Sequence, residues 1–394
     1  MRVAKKPGKP RALREVEIKP ERRPPSAPVQ EPLRLARILG QDRAIATLRA
    51  AIQTDRIHHA WIFHGPAGVG KFTAALAFAA VILDPSAQPD LSGQIEPDPE
   101  STAQQLLAAG THPDLHIVTK ELAAVSRDAK VRESKQRNIA KDVLEEFLLE
   151  PAARTGRAAD KARASKVFIV DEAELIDAVG QNALLKTLEE PAPGSVIILV
   201  TASQERLLPT IRSRCQRIAF APLEPADMAA WLKASGLPFA ALDAASRDWL
   251  LSFAQGSPGL AKLALETGLV EWHRTLTPLL AEIDRGAFPI DLGQTMAKLI
   301  DDWALAWVDG PGGQNASKDA ANKAAARQMF RLIAEHYRAR LRHAAGRPDG
   351  QPQMWKALTA IDLAAEAERQ AASSVQPVFV MDSLLAQLAE LAES

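Results

Sequence analysis

Residues 61–77, WIFHGPAGVGKFTAALA, set an apolar run, a glycine turn and an alanine-rich segment directly one after another. Trp61-Ile62-Phe63 reads as a buried strand, the stretch from Gly65 to Lys71 as a tight loop, and the alanines after it as the start of a helix. A phosphate asks for this order. It needs converging backbone N–H groups, glycines that let the backbone approach, and the positive end of a helix dipole. Gly65, Gly68 and Gly70 would form the cradle, and Lys71 would set a point charge against the outer phosphates. One position breaks the pattern G-x-x-x-x-G-K-[ST]: the hydroxyl that would hold Mg²⁺ after the lysine is replaced by Phe72. Phenylalanine cannot coordinate a metal. Thr73 comes one residue late, turned about 100° around the helix axis, so it is not a ready substitute. The segment is the scaffold of a nucleotide site with an altered metal position.

At 394 residues the chain exceeds one ordinary domain, and its formal net charge of zero gives no whole-molecule attraction to nucleic acid. A lone cysteine, Cys215, excludes an intramolecular disulfide and a cysteine-based zinc cluster, and fits a reducing cytoplasm. No apolar run approaches the roughly 18 residues that cross a bilayer.

Residues 1–32 mix Lys5, Lys6, Lys9, Arg11, Arg14, Arg22 and Arg23 with Pro7, Pro10, Pro20, Pro24, Pro25 and Pro28, and are expected to form a disordered basic tail. Two readings of it stand: a solvated extension, or a weak electrostatic contact with nucleic acid. A helix is expected over 39–55, a proline- and acid-rich connection over 85–110, a strand over 114–118, a charged surface loop over 120–137 and a helix over 139–149. Strands at 167–170, 196–200 and 217–220 alternate with a helix through Leu184, Leu185 and Leu188 that stops at Pro191. Alternation of this kind predicts a parallel sheet with helices on both faces, and ligands at the carboxyl ends of its strands. From Pro222 onward only helices are expected, with glycine and proline breaks at 310–313 and 346–350.

Asp171 and Glu172 close an apolar strand about a hundred residues after the glycine loop. In a P-loop enzyme such an aspartate holds Mg²⁺ and such a glutamate polarises the attacking water; the bland alternative is a pair of acids at a strand's exit to solvent. Arg212, Arg214 and Arg217 cluster after a strand and turn, and an arginine can stabilise a transferring phosphoryl group, including that of a neighbouring subunit. Cys215 reads as a packed residue. His58, His59, His112 and His116 lack the spacing of a metal set, and Trp303 and Trp307 fit a helix's core stripe.

Several motifs together resemble the AAA+ subunits of bacterial DNA polymerase clamp loaders. They are Gly40-Gln41, the run from His58 to Trp61, and the run from Val170 to Glu174. Two longer runs are more specific: Asn182 through Pro191 (NALLKTLEEP) and Leu208 through Cys215 (LPTIRSRC). The similarity spans roughly residues 35–270. It implies, behind the tail at 1–32, an α/β RecA-like AAA+ domain with a parallel sheet over 33–221, a small helical lid over 222–269 and an all-α collar domain over 270–394. The ATP-hydrolysing gamma/tau members keep Ser or Thr where this chain has Phe72, and usually carry an arginine where it has Gly259. The chain therefore looks most like a largely non-hydrolysing member. By that resemblance Arg214 is an arginine finger acting in trans, and Glu172 matches the catalytic glutamate. Gly65, Gly68, Gly70, Lys71, Thr73 and Asp171 form a degenerate nucleotide site that binds ATP weakly or not at all, with Mg²⁺ only alongside nucleotide and with no zinc. The implied partners are gamma/tau and delta subunits and, through the complex, the sliding clamp and primed DNA, with no membrane. The alternative is an active ATPase of the gamma/tau type that recruits Thr73 to the metal.

Overall fold

Among the described residues, five parallel strands carry the first part of the chain: β1 (Ala60–His64), β2 (Leu115–Val118), β3 (Lys166–Val170), β4 (Ser195–Thr201) and β5 (Gln216–Ala219). Their order in the sheet is β2-β3-β4-β1-β5. Phe63 of β1 pairs with Val200 on one side and Ile218 on the other. The three central strands are apolar almost without interruption because both faces are covered. Strand alternation then deals their side chains to two cores. Trp61, Phe63, Val167, Ile169, Val196, Ile198 and Val200 fill one, and Ala60, Ile62, Phe168, Val170, Ile197 and Leu199 fill the other. The structure, a computed structural model, describes residues 33–91, 93–133, 138–154, 162–289, 291–309, 318–372 and 376–393. The basic tail and the break expected at 310–313 lie outside them.

Helices α1 (Asp42–Gln53), α2 (Lys71–Ile82) and α3 (Thr102–Ala108) contribute to the first core. Into the second pack α4 (Ala129–Arg132), α5 (Lys141–Leu144), α6 (Glu150–Ala153), α7 (Ala178–Glu189) and α8 (Pro209–Arg212). A π-helical turn, Glu145–Leu149, joins α5 to α6. The last turn of α6 is closed by Lys166, whose buried ammonium donates to the carbonyls of Pro151 (2.7 Å) and Arg154 (2.8 Å) at the negative end of the helix.

Two stretches expected as loops are more ordered than that. The connection over 85–110 contains α3 and is built around Asp84, which is fully buried. Its carboxylate accepts from Ser86 N (2.9 Å), Asp98 N (3.1 Å), the Ser101 hydroxyl (2.9 Å) and the Gln104 amide (3.2 Å). Over 120–137, the 3₁₀ turn Lys120–Val125 buries Ala123, and α4 buries Val131. Single apolar anchors of this kind leave no periodicity for a sequence reading to find.

Beyond the sheet come α9 (Pro225–Ala234), α10 (Ala244–Ala254) and α11 (Pro258–Glu266). Side-chain caps start two of them: Asp243 accepts from Ser246 N, and Ser257 accepts from Leu260 N with Pro258 in the first turn. The chain continues as α12 (Leu269–Ile283), α13 (Leu292–Asp309), α14 (Lys318–Ala345), α15 (Gln351–Ala372) and α16 (Pro377–Glu393). One apolar cluster runs from Trp249 to Leu388, so it passes across residue 270. Trp303 is buried in it and stacks on Trp307 with centroids 5.0 Å apart. Among the described residues no helix is long and apolar enough to cross a membrane.

Candidate functional site

The loop after β1 opens on a cavity of about 620 Å³ at the carboxyl end of the sheet. Gly68, Gly70, Lys71, Phe72 and Thr73 line it from the loop side, Asp171, Glu172 and Glu174 from the end of β3, and Pro258, Gly259 and Lys262 from α11. Gly65, Gly68 and Gly70 all take positive φ, at 140°, 77° and 96°. Gln41 holds the loop against the rest of the fold. Its side-chain amide donates to Val69 O (3.3 Å) and Ala221 O (2.7 Å), and its oxygen accepts from Ala221 N (3.1 Å).

Where Gly68 meets α11 the two backbones touch. A Cβ on Gly259 would lie 2.7 Å from Gly68 Cα, and a Cβ on Gly68 would lie 2.4 Å from the Ser257 hydroxyl oxygen and 3.0 Å from Gly259 Cα. Only glycine fits at either place with the helix in this position. Gly259 N donates to Gly68 O (2.9 Å) and the Ser257 hydroxyl donates to Ala67 O (2.9 Å), so α11 is latched onto the loop by one main-chain and one side-chain bond.

Lys71 opens α2 and is buried. Its ammonium donates to the loop's own carbonyls, Gly65 O at 2.7 Å and Pro66 O at 2.5 Å. Burial lowers its pKa, and the Glu174 and Asp171 carboxylates oppose that shift. Phe72 is half-buried, packs against the first core and also lines the cavity. Thr73 is exposed on the cavity wall. Asp171 is half-buried and accepts from Glu172 N (3.0 Å); burial raises its pKa, and the nearby Glu172 and Glu174 charges add to the rise.

Glu172 has left-handed backbone (φ 48°), and its carboxylate is ion-paired with Lys120, in the turn after β2. Glu174 accepts from Ala202 N (3.2 Å) through one oxygen, while its other oxygen is buried with no partner. Lys120, Glu174 and Gln41 are site residues to which sequence reading assigned no role. The acid two residues beyond Asp171-Glu172 was the available signal for Glu174, whereas Lys120 is one cation in a charged stretch with nothing to mark it.

Arg214 is not among the residues that line the cavity. It lies between α8 and β5, partly exposed, with its guanidinium donating to the Glu189 carboxylate (2.5 Å) and to Thr210 O (3.0 Å). Cys215 beside it is buried, which pushes its thiol pKa up to about 12, as for a packed residue and not a nucleophile. His58 and His59 stack on each other before β1 and bond to backbone, His59 to Leu188 O at 3.0 Å. Among the described residues no group of three or more His, Cys, Asp or Glu could hold a metal ion.

The residues present do not fit a magnesium-bound nucleotide of the ordinary P-loop kind. A phenyl ring stands at the hydroxyl position, the lysine is turned onto its own loop, and α11 occupies part of the loop's rim.

Residues 40–224 match the family described as DNA polymerase III, delta subunit. A DNA polymerase III subunit delta' from Pseudomonas aeruginosa is 32% identical over 257 residues, which cover 64% of this chain and 71% of that protein. The delta' subunit of Bacillus subtilis is 34% identical over 185 residues, 47% of this chain and 49% of that protein, so the chain spans about half the length of this relative. A gamma/tau subunit from Mycobacterium tuberculosis is 31% identical over 204 residues, 51% of this chain and 31% of that protein.

Proposed function

We propose a function from one premise: the chain belongs to the delta-prime family of DNA polymerase III clamp-loader subunits. In this reading it is a largely non-hydrolysing AAA+ subunit of the clamp loader. It lends Arg214 to the ATP site of an adjacent gamma/tau subunit while the sliding clamp is set on primed DNA. Its partners are gamma/tau and delta, with clamp and DNA met through the complex, in the cytoplasm. ATP at its own loop is weakly held or absent.

The observation that carries the reading is the contrast between the two cations. Lys71 is folded onto the carbonyls of Gly65 and Pro66 beneath a latched α11, whereas Arg214 stands outside that cavity on the surface. The first arrangement suits a loop that no longer works on phosphate, and the second suits a group offered to a neighbour. One observation favours the alternative, an ATPase in its own right: Thr73 is exposed on the same cavity wall that Asp171 and Glu174 complete.

The test is ATP hydrolysis by the reconstituted loader with clamp and primed DNA. Arg214→Ala is expected to lower turnover at the one site it serves by about 10³-fold or more, while Lys71→Ala leaves the assembly's rate within about twofold of the parent. If instead Lys71→Ala is damaging and Arg214→Ala silent, the chain is an ATPase and the reading fails.

A further inference from the structure

Helix α7 and the segment that leads through α8 to Arg214 are clasped at both ends. At one end, the Gln181 side chain donates to Arg206 O (3.2 Å) and accepts from Leu208 N (2.8 Å). At the other, Arg214 reaches the Glu189 carboxylate (2.5 Å) and Thr210 O (3.0 Å). Between the clasps, Leu184, Leu188, Leu207, Ile211 and Cys215 share one buried cluster. His59 bonds Leu188 O and steadies the last turn of α7. Glu189 and Arg214 thus each follow or precede an anchored neighbour, Leu188 and Cys215. The two longest distinctive runs of the sequence, residues 182–191 and 208–215, are in effect the two halves of one joint.

We propose that Glu189 is the positioning residue for Arg214. A free arginine side chain samples many rotamers, and a catalytic cation placed at random loses most of its value. The Glu189 carboxylate and the Thr210 carbonyl fix two edges of the guanidinium fork. The N–H groups they leave over are then held at the surface, in the orientation that a phosphate on a neighbouring subunit meets. This inference rests on the reading of Arg214 as a donated finger. The pair is about half exposed, so it contributes little to folding, and losing it separates turnover from stability.

The experiment uses the reconstituted loader with clamp and primed DNA, and compares Glu189→Ala, Glu189→Gln, Arg214→Ala and the double variant Glu189→Ala/Arg214→Ala. Glu189→Ala is expected to remove about half or more of the activity lost with Arg214→Ala, through kcat and with KM for ATP unchanged. Glu189→Gln keeps an oxygen that accepts from the guanidinium and is expected to restore most of that loss. In the Arg214→Ala background, Glu189→Ala is expected to have no further effect. Full activity of Glu189→Ala alongside a damaging Arg214→Ala would overturn the positioning role and leave the finger intact. A further loss in the double variant would make Glu189 a structural residue. A silent Arg214→Ala would remove the finger itself, and this inference with it.

Discussion

Asp84 and Glu174 are two carboxylates of one domain that each bury oxygen, and they are served in opposite ways. Asp84 has no exposure and four donors, two main-chain and two side-chain. Glu174 has one donor, Ala202 N, and its second oxygen is buried without a partner on the cavity wall. A buried carboxylate that is fully met organises the chain around it, as Asp84 does for the segment up to Gln104. One left half-met is a standing cost, which proteins keep where something else is to be held. The difference separates the architecture of this domain from its site.

The larger loss of stability is expected at Asp84. Asp84→Ala removes the shared acceptor of four donors, and is expected to lower unfolding free energy by about 3–5 kcal/mol in urea titrations. A loss below about 1 kcal/mol would mean that the segment over 85–110 is held by its apolar contacts alone. Glu174→Gln should do the reverse. The amide oxygen still accepts from Ala202 N and the unmet charge is gone, so stability should lie within about 1 kcal/mol of the parent, or above it. A clear loss would show that the Glu174 charge holds Lys71 in place.

The smallest effect concerns Asp171, whose folded-state pKa is raised, chiefly by burial. The folded state then binds the proton more tightly than the unfolded one, so stability falls as pH rises from about 4, the ordinary aspartate value, through the raised value. Asp171→Asn removes that cost. It should raise Tm at neutral pH and lose its advantage as pH drops below about 4. A Tm gain that is independent of pH would point to packing and not to ionisation.

The sheet was legible in the sequence because apolar runs such as Val167 to Val170 and Val196 to Val200 need both faces covered, and few arrangements do that. The loop was legible too, since glycine spacing and a following helix are local features. What local pattern did not reveal was every contact made at a distance. Asp84 is one acid among many until Ser101 and Gln104 fold back onto it. Lys120 finds Glu172 from 52 residues away. Gly259 could be read as a missing arginine, but its contact with Gly68, which explains why no side chain stands there, joins positions 191 residues apart and exists only in three dimensions. The helix in the region of 85–110 was missed for the same reason as its organiser.

The touch between Gly68 and Gly259 also couples two positions that lie far apart in the chain. A hydroxyl at position 72 would leave α11 where it is, bonded to the loop through Gly259 and Gly68. Giving position 259 a side chain would drive it into Gly68 before it met any phosphate. Two glycines in contact act as an interlock: while α11 stays on the loop, each closes the other's position to any side chain.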